Sequence, residues 1–275
     1  MEFIEKNELS YPLFDSHAHY FDKRLDEIGG ADKILKEDVF GAGVGRVVNV
    51  GTNNANNLVC VSQAQNYDGM YAAVGLHPED IRYCEGSLED EMETLADIIG
   101  DRANRRAKKI VALGEIGLDY HYEGFDKVRQ ASFFDAQMCL AEALDIPVII
   151  HNREAHGDSF DCVLRHPRVR GVFHSYSGSA EMAAELIRRG WYISFSGVVT
   201  FKNATRVREV VASVPIERML IETDCPYLTP HPFRGRVNHS GFMAYTAAAI
   251  AEIKGMSVQQ VAEITYKNAS DLFEI

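Results

Sequence analysis

Six side chains able to ligate a metal recur at comparable places in this chain: His17, His19, Glu115, His151, His174 and Asp224. His17 and His19 end the apolar run Leu13-Phe14-Asp15-Ser16, and residues two apart on a strand face the same way. Two imidazoles are thereby offered to one point. The other four each stand at the carboxyl end of their own short, β-rich apolar run. Singly, each has an ordinary reading, because a strand-end histidine is usually hydrogen-bonded structure and a buried carboxylate usually pairs or caps. Four of the ten histidines and two acids repeating one placement favour a shared metal centre. Four imidazoles and two carboxylates exceed one tetrahedral site that keeps a position open. The set divides over two divalent ions, with His17, His19, Glu115 and Asp224 on one and Glu115, His151 and His174 on the other. Glu115 is then the shared ligand. Such a pair, with ions roughly 3.5–4 Å apart, suits in-line displacement at phosphorus or attack on a carbonyl. Divalent ions also bring the ionisation of water towards neutral pH, so no serine or cysteine nucleophile is required. Asp224 and Glu115 are the expected catalytic carboxylates, Asp224 taking the proton of the attacking water. Histidine-rich ligation favours Zn²⁺ or Mn²⁺, and carboxylates with a phosphate substrate accommodate Mg²⁺.

Neighbouring residues are candidates for substrate contact. His77 closes the run Val74-Gly75-Leu76 and points to the same end of its strand. Arg153 follows His151 by two residues and has the geometry to hold a phosphate oxygen. Arg234 and Arg236 flank Gly235 in a loop after the last strand. Asp119 is placed to hold a ligand in orientation. His121, His156, His166, His231 and His239 read as loop or surface residues.

The elements that must carry these residues alternate along the whole chain. Strands are expected at 12–17, 45–51, 71–76, 109–115, 146–151, 170–174, 191–196 and 218–223. Helical spacing is expected near 31–40, 55–66, 87–105, 125–144, 155–166, 179–189 and 203–213, with two more helices near 240–253 and 257–271. Eight near-continuous apolar strands separated by helices predict an α/β fold, a (β/α)8 TIM barrel, as one domain over residues 1–275. Active sites of such barrels lie at the carboxyl ends of the strands. The proline-rich stretch Cys225–Ser240, after strand eight, reads as a substrate loop.

Composition narrows the function classes. Lys and Arg total 28 against 40 Asp and Glu, a formal charge of −12. That excludes a broad basic surface for long nucleic acid, while leaving room for a strand end at a local, metal-assisted site. Five dispersed cysteines without CxxC spacing argue against a disulfide framework. Met1–Glu8 lacks the basic and apolar regions of a signal peptide, and no apolar run reaches the length of a membrane span. A soluble, cytoplasmic protein with no membrane partner is expected.

Longer strings resemble the TatD family of metal-dependent deoxyribonucleases, within the amidohydrolase-type barrels. They are Asp15-Ser16-His17-Ala18-His19, Gly75-Leu76-His77-Pro78, Gly114-Glu115-Ile116-Gly117-Leu118-Asp119-Tyr120, Ile150-His151-Asn152-Arg153, His174-Ser175-Tyr176-Ser177-Gly178, Glu222-Thr223-Asp224-Cys225-Pro226-Tyr227-Leu228 and Asn268-Ala269-Ser270-Asp271-Leu272-Phe273. Gln130 and Gln137 also fall where the family's fourth helix carries glutamines. The resemblance implies a divalent-metal phosphodiesterase acting on DNA ends or short oligonucleotides, often trimming from the 3′ end, with the same six residues as ligands. One departure is Val237-Asn238-His239-Ser240, where the family has Arg-Asn-Glu-Pro, which is expected to alter the outer wall of the substrate site. Two rivals remain. One is an amidohydrolase-type enzyme acting on a small ester, lactone or amide, against which Glu115 speaks, since lactonase-like members use a carboxylated lysine as the bridge. The other is a non-catalytic metal-binding protein.

Overall fold

The strands form where valine, isoleucine and alanine run unbroken, because such segments bury both faces. In the computed structural model, which describes residues 11–275, eight strands follow one another in chain order within one sheet. They are β1 (Leu13–Ala18), β2 (Val44–Val50), β3 (Met70–Val74), β4 (Ile110–Asp119), β5 (Val148–Arg153), β6 (Gly171–Phe173), β7 (Tyr192–Phe195) and β8 (Met219–Ile221). The β3–β4, β4–β5, β5–β6 and β7–β8 pairs are parallel, and a parallel bridge joins Ala18 to Cys225 beyond β8. This is the expected (β/α)8 barrel class. The stretch Met1–Glu8, examined above for a leader, lies outside the described residues. Among the described residues no helix is long and apolar enough to cross a membrane, and all five cysteines are free thiols.

The helices are α1 (Ala31–Ile34), α2 (Asn54–Asn66), α3 (Leu88–Ile99), α4 (Arg102–Ala107), α5 (Lys127–Leu144), α6 (His156–Arg165), α7 (Ala180–Arg188), α8 (Thr205–Ser213), α9 (Met243–Lys254) and α10 (Val258–Phe273). Several starts are legible as caps. Asn53 accepts from Asn56 N at α2, and Ser87 with Asp90, then Ser257 with Gln260, build capping boxes at α3 and α10. The helix expected over 87–105 is instead two. Gly100 leaves α3 with φ 68°, and Asp101 caps a fresh start by accepting from Asn104 N. The helix expected over 31–40 is a short α1 that loosens into a π turn at Leu35–Val39.

The chain groups into two compact units. One contains the described residues up to Val48, with His174–Arg188 and Tyr192–Ile275. Here α10 packs along β1 and β8, burying Phe14, Leu272 and Phe273. The other contains Asn49–Phe173 and Arg189–Trp191. Its α5 lies against β4 through Phe133, Phe134 and Met138, all buried. Two glutamines on the same helix act as backbone clamps. Gln137 accepts from Leu76 N at 2.8 Å and donates to Leu76 O at 3.1 Å, just past β3. Gln130 does the same to Asp119, at 2.9 and 2.8 Å, where β4 ends.

One placement differs from expectation. Glu115 lies in the middle of β4, which continues four residues further, pairing Gly117 with His151 and Asp119 with Arg153. The prolongation depends on Gly117. A Cβ there would stand 2.0 Å from His151 O, and its φ is +144°, so only glycine lets the strands stay in register.

Candidate metal-binding site

In the first unit, His17 lies within β1 and His19 just beyond it, so the two-residue spacing sends both rings to one side. Their Nε2 atoms are 3.1 Å apart. Asp224 Oδ1 lies 3.3 Å from His19 Nε2 and 3.8 Å from His17 Nε2. Two tetrahedral ligands with bonds of roughly 2.0–2.1 Å stand about 3.3 Å from each other. The three donors therefore have the spacing of one face of a metal polyhedron. Asp224 sits in left-handed backbone at φ 56°, a conformation that non-glycine residues keep only when the surroundings enforce it. Here Asp224 N donates to His17 O at 2.9 Å and His19 N donates to Cys225 O at 2.8 Å. Burial pushes the Asp224 carboxyl up, but the His19 hydrogen bond and the charges of His174, His17 and His19 outweigh it. The carboxyl stays below the ordinary carboxylate range.

His174 follows β6 and stacks on His17, ring centroids 4.0 Å apart and 16° from coplanar. Its Nδ1 faces Glu222 Oε1 at 3.2 Å, and Ser175 N donates to the same oxygen at 2.7 Å. A carboxylate on Nδ1 sets the tautomer and orientation of the His174 ring. Glu222 is fully buried, and its Oε2 has no hydrogen-bond partner among the described residues. His17, His174 and Glu222 thus form a further close group of donors. The sequence reading missed Glu222 as a site residue, although its place two before Asp224 in the Glu-Thr-Asp string was a usable signal.

Beneath this set lies Asp15, also overlooked. Its Oδ1 accepts from His17 N at 3.2 Å and Thr223 N at 3.0 Å, and its Oδ2 from Thr223 Oγ1 at 2.5 Å and Ser240 Oγ at 2.6 Å. Burial pushes the carboxyl up to about 7 against these four hydrogen bonds, which favour the charged form. The Val237–Ser240 departure therefore differs from its expected place on an outer wall. Asn238 and Ser240 are fully buried. Asn238 Nδ2 donates to Thr223 O at 3.0 Å and to Tyr227 O at 2.5 Å, and Ser240 meets Tyr20 OH at 2.7 Å as well as Asp15. Arg234 in the same loop lays its guanidinium 4.1 Å from the centre of the Phe201 ring, and Arg236 lies 5.4 Å from that of Phe233.

In the second unit, Glu115, His151 and His77 gather. His151 Nδ1 is 2.7 Å from Glu115 Oε1, and its Nε2 is 2.9 Å from Asp119 Oδ2. With Asp119 holding Nε2, Nδ1 is the nitrogen turned to the place where Glu115 also points. Burial raises the Asp119 carboxyl, and the His151 hydrogen bond and charge more than reverse it, leaving it low. His77 comes within 3.6 Å of Glu115 Oε1 through Nε2. Glu79 N donates to His77 Nδ1 at 3.1 Å, which assigns the proton of a neutral ring to Nε2. His77 then turns Nε2–H towards Glu115, beyond hydrogen-bond distance, and has no lone pair there for a metal. Arg153, two residues past His151, donates from Nη1 to Tyr122 OH at 3.0 Å. His166, read above as a surface residue, is buried, with Nε2 3.1 Å from Asp135 Oδ1; α6 ends one residue earlier and turns the ring inward.

Each unit accordingly offers imidazole nitrogens and carboxylate oxygens whose opposite sides are held by Glu222 or Asp119. That donor set fits divalent cations of the zinc or manganese type.

Known proteins agree with this chemistry. A model of the family described as TatD related DNase matches residues 14–274. The uncharacterized metal-dependent hydrolase YabD of Bacillus subtilis (strain 168) is 40% identical over 96% of this chain and 99% of its own. YjjV of Escherichia coli (strain K12), another uncharacterized metal-dependent hydrolase, is 32% identical over 96% of this chain and 98% of its own. The crystal structure of YjjV, described as a TatD homolog, superposes with a TM-score of 0.86 at 30% identity, covering 96% and 98% of the two chains. A phosphotriesterase homology protein of Escherichia coli shares the fold at a TM-score of 0.66 and 14% identity, covering 95% and 98%. With its donor clusters and a family match over almost its whole length, the chain belongs to the TatD family and is a metal-dependent hydrolase.

Proposed function

We propose that this hydrolase cleaves phosphodiester bonds at DNA ends and short oligonucleotides, removing nucleotides one at a time from the 3′ end. The proposal includes two divalent cations, one on His17, His19, Glu115 and Asp224 and the other on Glu115, His151 and His174, within one hydrolase domain over residues 1–275. The observation that carries it is the spacing of His17 Nε2, His19 Nε2 and Asp224 Oδ1, at 3.1, 3.3 and 3.8 Å, which suits ligation of a common ion. When bound, the cations polarise the phosphodiester and bring water towards ionisation at neutral pH.

The residues supply the remainder. Asp224, ionised at neutral pH, accepts the proton of the attacking water. Glu222 and Asp119 hold His174 and His151 in single ring orientations. His77 turns Nε2–H towards Glu115 at 3.6 Å. The −12 charge supports a grip on a few nucleotides at a strand end, and Arg153 and Arg234 are proposed to meet their phosphates. The free thiols support a cytoplasmic location.

A screen of metal-replete protein against single- and double-stranded oligonucleotides, dinucleotides and a lactone panel tests the proposal. Metal-dependent release of 3′-terminal mononucleotides, lost on chelation, is expected. Lactone or amide turnover without phosphodiester cleavage would transfer the site to a small-molecule hydrolase.

A further inference from the structure

Past β4 the chain places three aromatic residues, Tyr120, Tyr122 and Phe125, close together in sequence on a protein of net acidic charge. Tyr120 and Phe125 stack, centroids 4.8 Å apart and 15° from coplanar, and Tyr120 OH is fixed by donating to Asp158 at 2.9 Å. Tyr122 is 47% exposed and Phe125 37% exposed, although large aromatic rings are normally covered when they serve only packing. Cations attend these rings. Lys127 Nζ lies 5.2 Å from the Tyr120 centroid, and the Arg153 guanidinium carbon lies 5.0 Å from that of Tyr122. The nearby acid Glu154 is engaged by His121 at 2.7 Å.

The platform is tied to the donor cluster of its own unit. Asp119, which holds His151 Nε2, is three residues before Tyr122, and Tyr120 N donates to Arg153 O at 3.0 Å. Register pairs Asp119 with Arg153 directly, and Arg153 is two residues past His151. A ring and a guanidinium are therefore set side by side at the rim of the Glu115–His151 cluster. Exposed rings interleaved with cations fit an anionic, planar occupant. An unpaired nucleotide is both: any base offers a π-face, and its phosphate offers the charge.

We infer that Tyr122, with the His121 ring edge-on at 5.1 Å and flanked by Arg153, is a stacking platform for an unpaired base beside the bond to be cleaved. This rests on the phosphodiesterase reading above and deepens it by naming the ring that meets the base. Stacking tolerates any base, so the site distinguishes unpaired from paired nucleotides rather than sequence.

The test uses metal-replete protein and a phosphorothioate-linked tetranucleotide with 2-aminopurine at its 3′ end, whose fluorescence is quenched on stacking. Replacing a stacking ring weakens binding by about 5- to 150-fold, and that loss is expected for Tyr122→Leu, with loss of the quench and unchanged metal content. Tyr122→Phe keeps the ring and is expected to bind within about threefold of the unaltered protein. For cleavable tetranucleotides, Tyr122→Leu is expected to raise KM on a base-bearing end and to leave KM on an abasic end unchanged. Equal damage from Tyr122→Phe and Tyr122→Leu would overturn the platform, because it would place the role in the hydroxyl that Arg153 contacts. Unchanged aminopurine binding in Tyr122→Leu, or equal loss on the abasic end, would also overturn it. Ring-dependent aminopurine binding without phosphodiester cleavage would sink the phosphodiesterase reading alone. Cleavage with KM indifferent to Tyr122→Leu would sink the platform alone.

Discussion

Ligating residues and their supports are separated by which nitrogen of each ring is already engaged. His77 has Nδ1 taken by Glu79 N–H and turns Nε2–H towards Glu115 at 3.6 Å, whereas Glu115 offers its oxygens. Glu115→Ala is expected to abolish turnover and strip metal, while His77→Ala keeps the metal content and lowers activity by about 10- to 100-fold, the range for a neighbour of a ligand. Elemental analysis of both variants decides this; equal metal loss would make His77 a ligand. Glu222→Leu removes the acceptor for His174 Nδ1–H and Ser175 N–H. A loss of about 10- to 100-fold in metal affinity is expected, read by competition with a chromophoric chelator. Asp15 carries a pH signature. Its folded-state carboxyl is raised from 3.8 to about 7, so the folded protein holds a proton there that the unfolded chain has released. The corresponding stability is complete below about pH 4 and is lost as pH rises to about 7. Urea midpoints measured against pH should fall over that window, and Asp15→Asn should flatten the fall.

At the scale of elements, the eight strands and the order of helices were legible because each strand is an unbroken apolar run and each helix has its own period. What escaped was local. Gly100 and Asp101 divide a helix whose apolar spacing continues across the break, so periodicity hides it. Glu115 was placed at a strand end because the run Ile110–Leu113 is apolar and stops at Gly114; the continuation to Asp119 depends on glycine at 117, which no hydrophobic pattern reports. The candidate donors were visible from spacing, yet Asp15 and Glu222 were not, since each of these buried carboxylates is held by partners more than 40 residues away. The glutamines of α5 were noticed only as family marks, and their physical purpose is the clamp on Leu76 and Asp119. Gln137→Leu leaves a buried N–H and C=O of Leu76 unsatisfied, at about 1–3 kcal/mol each. A lower urea midpoint with unchanged slope is expected, and an unchanged midpoint would show that solvent or relaxation replaces the clamp.

The whole molecule sets how the proposed nucleic-acid substrate would be held and when the site can form. With −12 formal charge, few phosphates are neutralised on binding, so log affinity for single strands against log salt should have a slope of roughly −1 to −3. Titrations between low and moderate salt measure it; a steeper slope, or efficient linearisation of covalently closed circles by metal-replete protein, would replace end recognition with a tracking surface. Asp15 has a consequence of another kind. Its carboxylate joins the backbone of His17 to Thr223 and Ser240, partners 208 and 225 positions further along the chain. During synthesis, His17 and His19 leave the ribosome long before the groups that fix them. A nascent chain halted before residue 223 therefore displays two loosely held imidazoles and no formed pocket. Cation uptake at this cluster follows synthesis past Thr223, Asp224 and Ser240, and a chain cut before Thr223 is expected to lack this donor set.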